Sequence, residues 1–415
     1  MVRGLSFSKE KIRVLFLENV NDSAVALLEQ AGYVSVTRLP KALDGEALKE
    51  ALSGVHILGI RSRTQITEDV LAAADRLIAI GCFSVGTNQV DLDATRRRGV
   101  PVFNAPFSNT RSVAELTLAE IVMLMRRILP RSASAHEGGW DKSANDSHEV
   151  RGKTLGIVGY GNIGSQLSTL AESFGMRVVY YDHTDRLRHG NTEPVASLRD
   201  LLAEADVVTL HVPETPATQN MIGMDELRAM KKGAYLINNS RGTVVDLDAL
   251  ATVLREGHLR GAAIDVFPVE PGSNAERFTT PLQGIDNVIL TPHVGGSTLE
   301  AQERIGVEVA RKLIDYSDIG STIGAVNFPA VQLPPRPHGA RFMHVHQNTP
   351  GMLSRLIAVF SGRGLNIVGQ FLQTDGEIGY VVIELDSVPE DAREILTELR
   401  ALEGTIRARV LYVRQ

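Results

Sequence analysis

The hexapeptide Gly159-Tyr160-Gly161-Asn162-Ile163-Gly164 constrains this chain more than any other segment. It follows the apolar run Leu155–Val158 and opens a stretch of helical pattern that reaches about Phe174, so it fits G-x-G-x-x-G at a strand-to-helix turn. There Gly159 makes the tight turn, Gly161 lets a pyrophosphate approach the backbone, and Gly164 lets helix and strand pack closely. The phosphates would sit on the helix amino terminus. Asp182 lies 18 positions beyond Gly164, at the end of the next predicted strand. A carboxylate there accepts hydrogen bonds from the adenine ribose and repels a 2′-phosphate, which favours NAD over NADP. Arg186 and Arg188 follow closely enough to leave room for some NADP use.

Such a turn implies a doubly wound parallel sheet, and apolar runs continue through Arg177–Asp182, Asp206–Val212, Ala234–Asn239, Leu259–Val266 and Val288–Thr291, with helical patterns between them. Open parallel sheets bind ligands beyond the carboxyl ends of their strands. Arg241, Glu270 and His293 each follow such a run. The planar guanidinium of Arg241 suits a substrate carboxylate. His293 titrates near neutrality and would exchange the proton of a substrate hydroxyl as hydride leaves or returns. Glu270 would orient its imidazolium and raise its pKa.

At ~150 residues per domain, 415 residues amount to about three domains. An earlier α/β alternation runs from Ile12 to Asn104. A long helix is expected over Val113–Leu129, then a polar arm or connection over Arg131–Arg151 carrying Trp140, the only tryptophan. Ser297–Asp318 reads as a helix of about 33 Å, long enough to cross between domains. Four prolines between Pro329 and Pro337 suggest a semi-rigid linker. Beyond them the order β-α-β-β-α-β is ferredoxin-like. A net charge of −6 without a concentrated basic face argues against nucleic-acid or membrane-surface binding. The single cysteine, Cys82, excludes an internal disulfide and a Cys-rich metal site and suits a reducing compartment. Met1 to Lys11 shows no apolar signal core, and a cytoplasmic address is expected.

These motifs carry a resemblance. The turn Gly159–Gly164 with Asp182, the stretch Asn239-Ser240-Arg241-Gly242-Thr243, Asp265-Val266-Phe267 before Glu270, and Thr291-Pro292-His293-Val294-Gly295-Gly296 are similar to those of the D-isomer-specific 2-hydroxyacid dehydrogenases. The resemblance implies that Asn162, Ile163, Asn239, Ser240, Asp265 and Val294–Gly296 help to hold NAD, with no metal. Arg61-Ser62-Arg63-Thr64, Gly81–Asn88 and Asn104–Ser112 resemble members that oxidise 3-phospho-D-glycerate at the start of L-serine synthesis. By that likeness the chain has a discontinuous, flavodoxin-like substrate lobe (1–105 and 297–330), a Rossmann-type NAD domain (106–296), a linker (331–338) and a terminal domain (339–415). Arg61, Ser62 and Arg63 would then bind substrate. Arg61 and Arg63 follow Val55–Ile60, where two guanidiniums can face a dianionic phosphate; Lys41 would add charge.

The terminal segment resembles the ACT domain, which pairs with a copy of itself and binds amino acids at the shared edge. His346, Asn348 and Asn366 correspond to contacts for L-serine as a feedback effector, whereas Gln347 departs from the more usual Glu. The likeness further implies a homotetramer, with Trp140 packed between subunits. Two other activities share these motifs: a related reductase of 2-oxoglutarate, and a non-catalytic NAD-sensing corepressor, against which the intact triad counts.

Overall fold

The structure is a computed structural model, and it describes residues 8–271, 275–335 and 339–411. They form two compact units, one of residues up to 108 together with 302 onward, the other of residues 109–301. The expected boundaries lay three and five residues earlier.

In the second unit seven parallel strands stand in the order Val288–Leu290, Gly261–Ile264, Tyr235–Asn238, Val207–Leu210, Thr154–Val158, Arg177–Tyr181, Glu193–Pro194. The order reverses beside Thr154–Val158, the strand that enters the glycine-rich turn. That is the doubly wound arrangement, and it opens a crevice at the reversal. The central strands are buried on both faces, one against Leu250, Leu254 and Leu227, the other against Ile121, Leu124 and Leu167. Their unbroken Val, Ile and Leu runs follow from this two-sided burial. Local signals also hold: the Asp246 carboxylate accepts from the amides of Asp248 and Ala249 and so starts the helix Leu247–Arg255.

The expected helix over Val113–Leu129 is two helices. Thr110–Met125 ends where Arg127 takes a left-handed backbone, φ 51°, and Ile128–His136 follows. The front of the expected polar arm is therefore helical.

The first unit holds a five-stranded parallel sheet, ordered Val36–Arg38, Val14–Phe16, Ile57–Ile60, Ala79–Cys82, Val102–Phe103. Cys82 lies buried in it, its thiol pushed up to about 12 by burial, so it is packing and not chemistry. The terminal residues form their own antiparallel sheet, ordered Ile367–Thr374, Ile378–Leu385, Arg341–Gln347, Thr405–Leu411. One apolar core is common to both sheets, with Phe16 and Phe103 from one, Met343, Tyr380 and Leu411 from the other, and Val309 and Tyr316 from the helix Leu299–Ile319.

The proline-rich stretch is not a free spacer up to residue 335. Val331 and Leu333 are buried in that core, and Val331 and Thr322 exchange backbone and hydroxyl hydrogen bonds; residues 336–338 lie outside the described residues. Arg341 fastens the seam. It donates to Glu384 at 2.6 Å, to the Ile319 carbonyl at 2.9 Å and to the Pro334 carbonyl at 2.7 Å, while only 4% exposed. Arg341→Met strips Glu384 of this guanidinium and two carbonyls of their donor. The expected loss is about 3–5 kcal/mol in a urea titration of the terminal sheet, and a change under 1 kcal/mol would show that the seam does not depend on it.

Candidate active site

The glycine-rich turn has the shape its motif requires. Gly159 sits at φ 91°, and a Cβ there would lie 2.5 Å from the His211 carbonyl oxygen. At Gly164 a Cβ would lie 2.5 Å from the Gly159 carbonyl oxygen. Around Gly161 nothing lies within 4 Å of that position, which leaves open space at the start of the helix Asn162–Ser173. The first and third glycines are thus needed by the fold and the second by whatever approaches it. Asp182 stands at the end of Arg177–Tyr181. Its Oδ2 accepts from the Tyr160 amide at 2.9 Å and Arg186 Nε at 3.1 Å, and its Oδ1 from the Thr184 amide and hydroxyl. Burial works to raise its pKa, but these donors outweigh it and hold the carboxyl low. Arg188 is exposed on the same loop. Open space at Gly161, a helix amino terminus and a low-pKa carboxylate at the next strand end fit a dinucleotide.

Across the crevice Asp265 shapes the last turn of the sheet. Its Oδ1 accepts from the Thr291 hydroxyl at 2.6 Å and the Val294 amide at 2.8 Å, and its Oδ2 from the Gly295 amide at 2.8 Å. The His293 amide donates to the Asp265 carbonyl at 2.8 Å, and His293 is forced to φ 55°. A histidine in the left-handed region is strained, which surrounding structure must impose. Gly296 follows, close against Asn109.

The imposed turn aims His293 Nδ1 at Glu270, 3.0 and 2.9 Å from its two oxygens. Glu270 is fixed from behind by the Phe267 amide at 3.2 Å. The hydrogen bond that His293 donates to Glu270 raises the His293 pKa above 6.5 against the opposing pull of burial. Burial would raise Glu270 in turn, but His293 brings it below 4.5. Nδ1 therefore carries the proton shared with Glu270, and Nε2 is the ring nitrogen not engaged by it. Arg241 is placed by a bracket at the end of Tyr235–Asn238: Asn238 Nδ2 donates to the Arg241 carbonyl, and Asn238 Oδ1 accepts from the Ser240 amide and hydroxyl. The guanidinium is largely buried, which lowers its pKa, and Glu214 and Glu270 partly offset this. Asn239 turns the other way, donating to Thr117 and Glu120.

In the first unit the loop after Ile57–Ile60 is built on a residue that sequence reasoning missed. Buried Glu18 accepts from the amides of Arg61 at 3.2 Å, Arg63 at 3.0 Å and Thr64 at 2.9 Å. Both Glu18 and Asn19 adopt positive φ to reach it. Their signal was polar residues directly after the apolar run Val14–Leu17. The loop thereby turns Ser62 and Arg63 outward and leaves Arg61 half-buried. Exposed Lys41 borders the loop through its carbonyl, which accepts from the Glu18 amide.

The residues expected to meet an effector do not converge within one chain. His346 pairs across the sheet with Gly379, whereas Ile367, next to Asn366, pairs with Leu385. Six residues of strand separate these ends, about 20 Å. His346 is buried, 3.3 Å from His344, which burial and then His346 push down to about 4. Asn348 donates to the Asp375 carbonyl and Asn366 to Asp386. Gln347 is exposed.

Comparison with known proteins places these features in a family. Residues 118–295 match the family described as D-isomer specific 2-hydroxyacid dehydrogenase, NAD binding domain, and residues 342–407 match an AHAS small subunit-like ACT domain. The chain is 56% identical over 412 residues to the D-3-phosphoglycerate dehydrogenase of Haemophilus influenzae, covering 99% of this chain and all of that protein. It is 55% identical over 408 residues to that of Escherichia coli K12, covering 98% of this chain and 99% of that one. Among solved structures, a D-lactate dehydrogenase from Aquifex aeolicus complexed with NAD and lactic acid superimposes with a TM-score of 0.68 at 29% identity, covering 77% of this chain and all of the other. An NAD-dependent formate dehydrogenase from Staphylococcus aureus in complex with NAD gives 0.66 at 29%, covering 74% and 96%.

The Glu270 contact makes a checkable demand. A raised histidine pKa means that the pair's contribution to stability is full below pH 6.5 and is lost as pH rises through the folded value. In Glu270→Gln, the ring titration of His293 followed by NMR should move down, because the contact that most raises it is lost and only the charge of Asp265 still opposes burial. An unmoved midpoint would remove Glu270 as the tuner.

Proposed function

The chain belongs to the D-3-phosphoglycerate dehydrogenases of the D-isomer specific 2-hydroxyacid dehydrogenase family, and we propose that Arg241, Glu270 and His293 carry its chemistry on 3-phospho-D-glycerate. The chain is an NAD-dependent oxidoreductase. The observation that carries the residue assignment is the Glu270–His293 pair at the carboxyl edge of a dinucleotide-binding sheet, with Arg241 on the neighbouring strand end. Bound NAD supplies the hydride acceptor. Gly159, Gly161 and Gly164 with the helix from Asn162 and Ile163 hold its phosphates, and Asp182 its adenine ribose. The turn segments Asn239–Ser240, Asp265 and His293–Gly296 line its other end.

Arg241 grips the substrate carboxylate. His293 Nε2 takes the hydroxyl proton as hydride leaves the same carbon, and Glu270 stabilises the imidazolium so formed. In reduction the proton returns to oxygen by the same atoms. Arg61 and Arg63 hold the phosphate, with Ser62 beside them and Lys41 adding charge. The carboxylate near Arg61, Glu18, spends its oxygens on the amides of Arg61, Arg63 and Thr64, so the charge of the two guanidiniums is available to an anion.

L-serine is the effector, and each site takes His346 and Asn348 from one terminal domain and Asn366 from another. The separation of these residues within a chain supports a shared site and so an assembly of chains. Trp140, 85% exposed, supplies apolar surface for a second contact, and two kinds of contact give a homotetramer. The enzyme works in the cytoplasm; no helix among the described residues is long and apolar enough to cross a membrane.

NADH formation on a panel of hydroxy acids tests the substrate. Turnover of 2-hydroxyglutarate equal to that of 3-phospho-D-glycerate would remove the phosphate assignment. His293→Ala should cut kcat about 10²–10⁴-fold with NADH binding kept; near-normal turnover would overturn its role. Arg61→Ala or Arg63→Ala should raise KM for the phosphorylated substrate about 10–100-fold with little effect on a non-phosphorylated one. For regulation, Asn348→Ala and Asn366→Ala chains should each lose serine inhibition, and hybrids of the two should regain part of it. Deleting the terminal domain is a poorer test, because it would expose the core shared with the first sheet.

A further inference from the structure

Behind the Arg241 bracket lies a buried acid that the mechanism does not use. Glu120, on the helix Thr110–Met125, is 0% exposed. Its Oε2 accepts from Asn239 Nδ2 at 2.7 Å, and the same amide nitrogen reaches the Thr117 hydroxyl at 3.0 Å. Two buried oxygens of this pair have no donor, Oε1 of Glu120 and Oδ1 of Asn239. A fully buried orphan acceptor costs about 1–3 kcal/mol, and more if charged, so two in one contact call for a cause.

A single proton removes both. With Oε1 protonated, its O–H donates to Asn239 Oδ1 while Asn239 Nδ2 donates to Oε2, and acid and amide close a ring of two hydrogen bonds. Burial, and secondarily the charge of Asp265, favour the neutral acid and push Glu120 up to about 7, against the hydrogen bond from Asn239. Asn239 by hydrogen bond and Asp265 by charge are the groups that bear on it, and Thr117 acts only through Asn239, whose amide nitrogen it also accepts from.

We propose that Glu120 is a neutral acid paired with the Asn239 side chain and is a positioning residue for the clamp formed by Ser240 and Arg241. Asn239 is the peptide link between the strand Tyr235–Asn238 and that clamp. Asn238 braces the clamp from inside the turn; the Glu120–Asn239 ring braces it from the helix. The neutral form matters because Arg241 must attract an anion. A second carboxylate charge behind it, added to Asp265, would work against that attraction. This consequence for substrate rests on Arg241 being the carboxylate clamp.

Infrared spectroscopy of the full-length enzyme tests the pair directly. A protonated-carboxyl band should be present at pH 6, fade as pH rises through about 7, and be absent in Glu120→Gln. The wild-type KM for the hydroxy acid should rise severalfold on the alkaline side with kcat less affected, and Glu120→Gln should flatten that limb. A merely structural acid would leave the KM profile unmoved. Thermal stability gives a further readout: the folded chain keeps a proton that the unfolded chain has lost above pH 4.5, so this group weakens folding as pH rises from there to about 7, and the glutamine variant lacks that slope. No band in the wild type overturns the neutral pair, and superimposable KM profiles overturn the positioning role. Should Glu120→Gln fail to fold, Asn239→Ala keeps the acid but opens the ring and should shift the band, while an unshifted band overturns the pairing. If Arg241→Lys leaves KM unchanged while the band behaves as described, the clamp assignment fails and the acid–amide pair stands.

Discussion

The Glu270–His293 pair exists because Asp265 accepts two backbone amides and a hydroxyl from the turn that follows the last strand. Those bonds hold His293 at a positive φ it would not otherwise adopt, and from that backbone its ring reaches Glu270. The same device recurs. Glu18 gathers three consecutive-turn amides around the Arg61–Thr64 loop, and Asp182 ties the Tyr160 amide to the Thr184 turn. Each carboxylate stands at or just beyond a strand end, where parallel strands leave loops with amides that no ladder satisfies. A buried carboxylate meets several of them at once and holds a loop with little hydrophobic content in a single shape. The loops that carry the chemistry are therefore fixed by charge and hydrogen bonding, while the strands beneath are fixed by burial.

That division explains what could be read from the sequence. The turn Gly159–Gly164, Asp182 and the strand-end positions of Arg241, Glu270 and His293 were legible because each depends on a local pattern: a glycine spacing, or a polar residue after an apolar run. Glu18 and Glu120 were not. Glu18 acts on residues more than forty positions away, and Glu120 lies inside a helix whose pattern reads as plain core. The edge strand Val36–Arg38 also escaped notice, because it is largely exposed and has no apolar alternation. The break at Arg127 was hidden by apolar residues that continue on either side of it.

The terminal domain shows the limit of composition as a guide. Prolines spaced through a short stretch do suggest a spacer, yet Val331 and Leu333 between them are apolar anchors, and an extended chain is well suited to present alternate side chains to one core. The buried Arg341 then adds directional bonds across the seam. A terminal domain joined in this way does not swing freely. Under the proposed effector role, any change at the distant ends of the terminal sheet must pass through residues such as Tyr380, whose hydroxyl donates to the Gly320 carbonyl from within the shared core. The geometry favours transmission through packing over the loosening of a tether.

The overall charge of −6 gains meaning from the same residues. An acidic protein that handles an anionic cofactor and an anionic substrate has to create positive potential locally. Arg241 is the clearest case. Burial disfavours its charge, so its guanidinium gains from any anion that replaces lost water, and Glu214 and Glu270 offset only part of that cost. Arg61 shares this condition, being half-buried, with Glu18 beside it using both oxygens on backbone amides. Partial burial of an incompletely paired cation is unfavourable in the empty protein and favourable once an anion arrives. A neutral Glu120 belongs to the same logic: it supplies the hydrogen bonds of a carboxyl group behind the clamp without the charge that would cancel it.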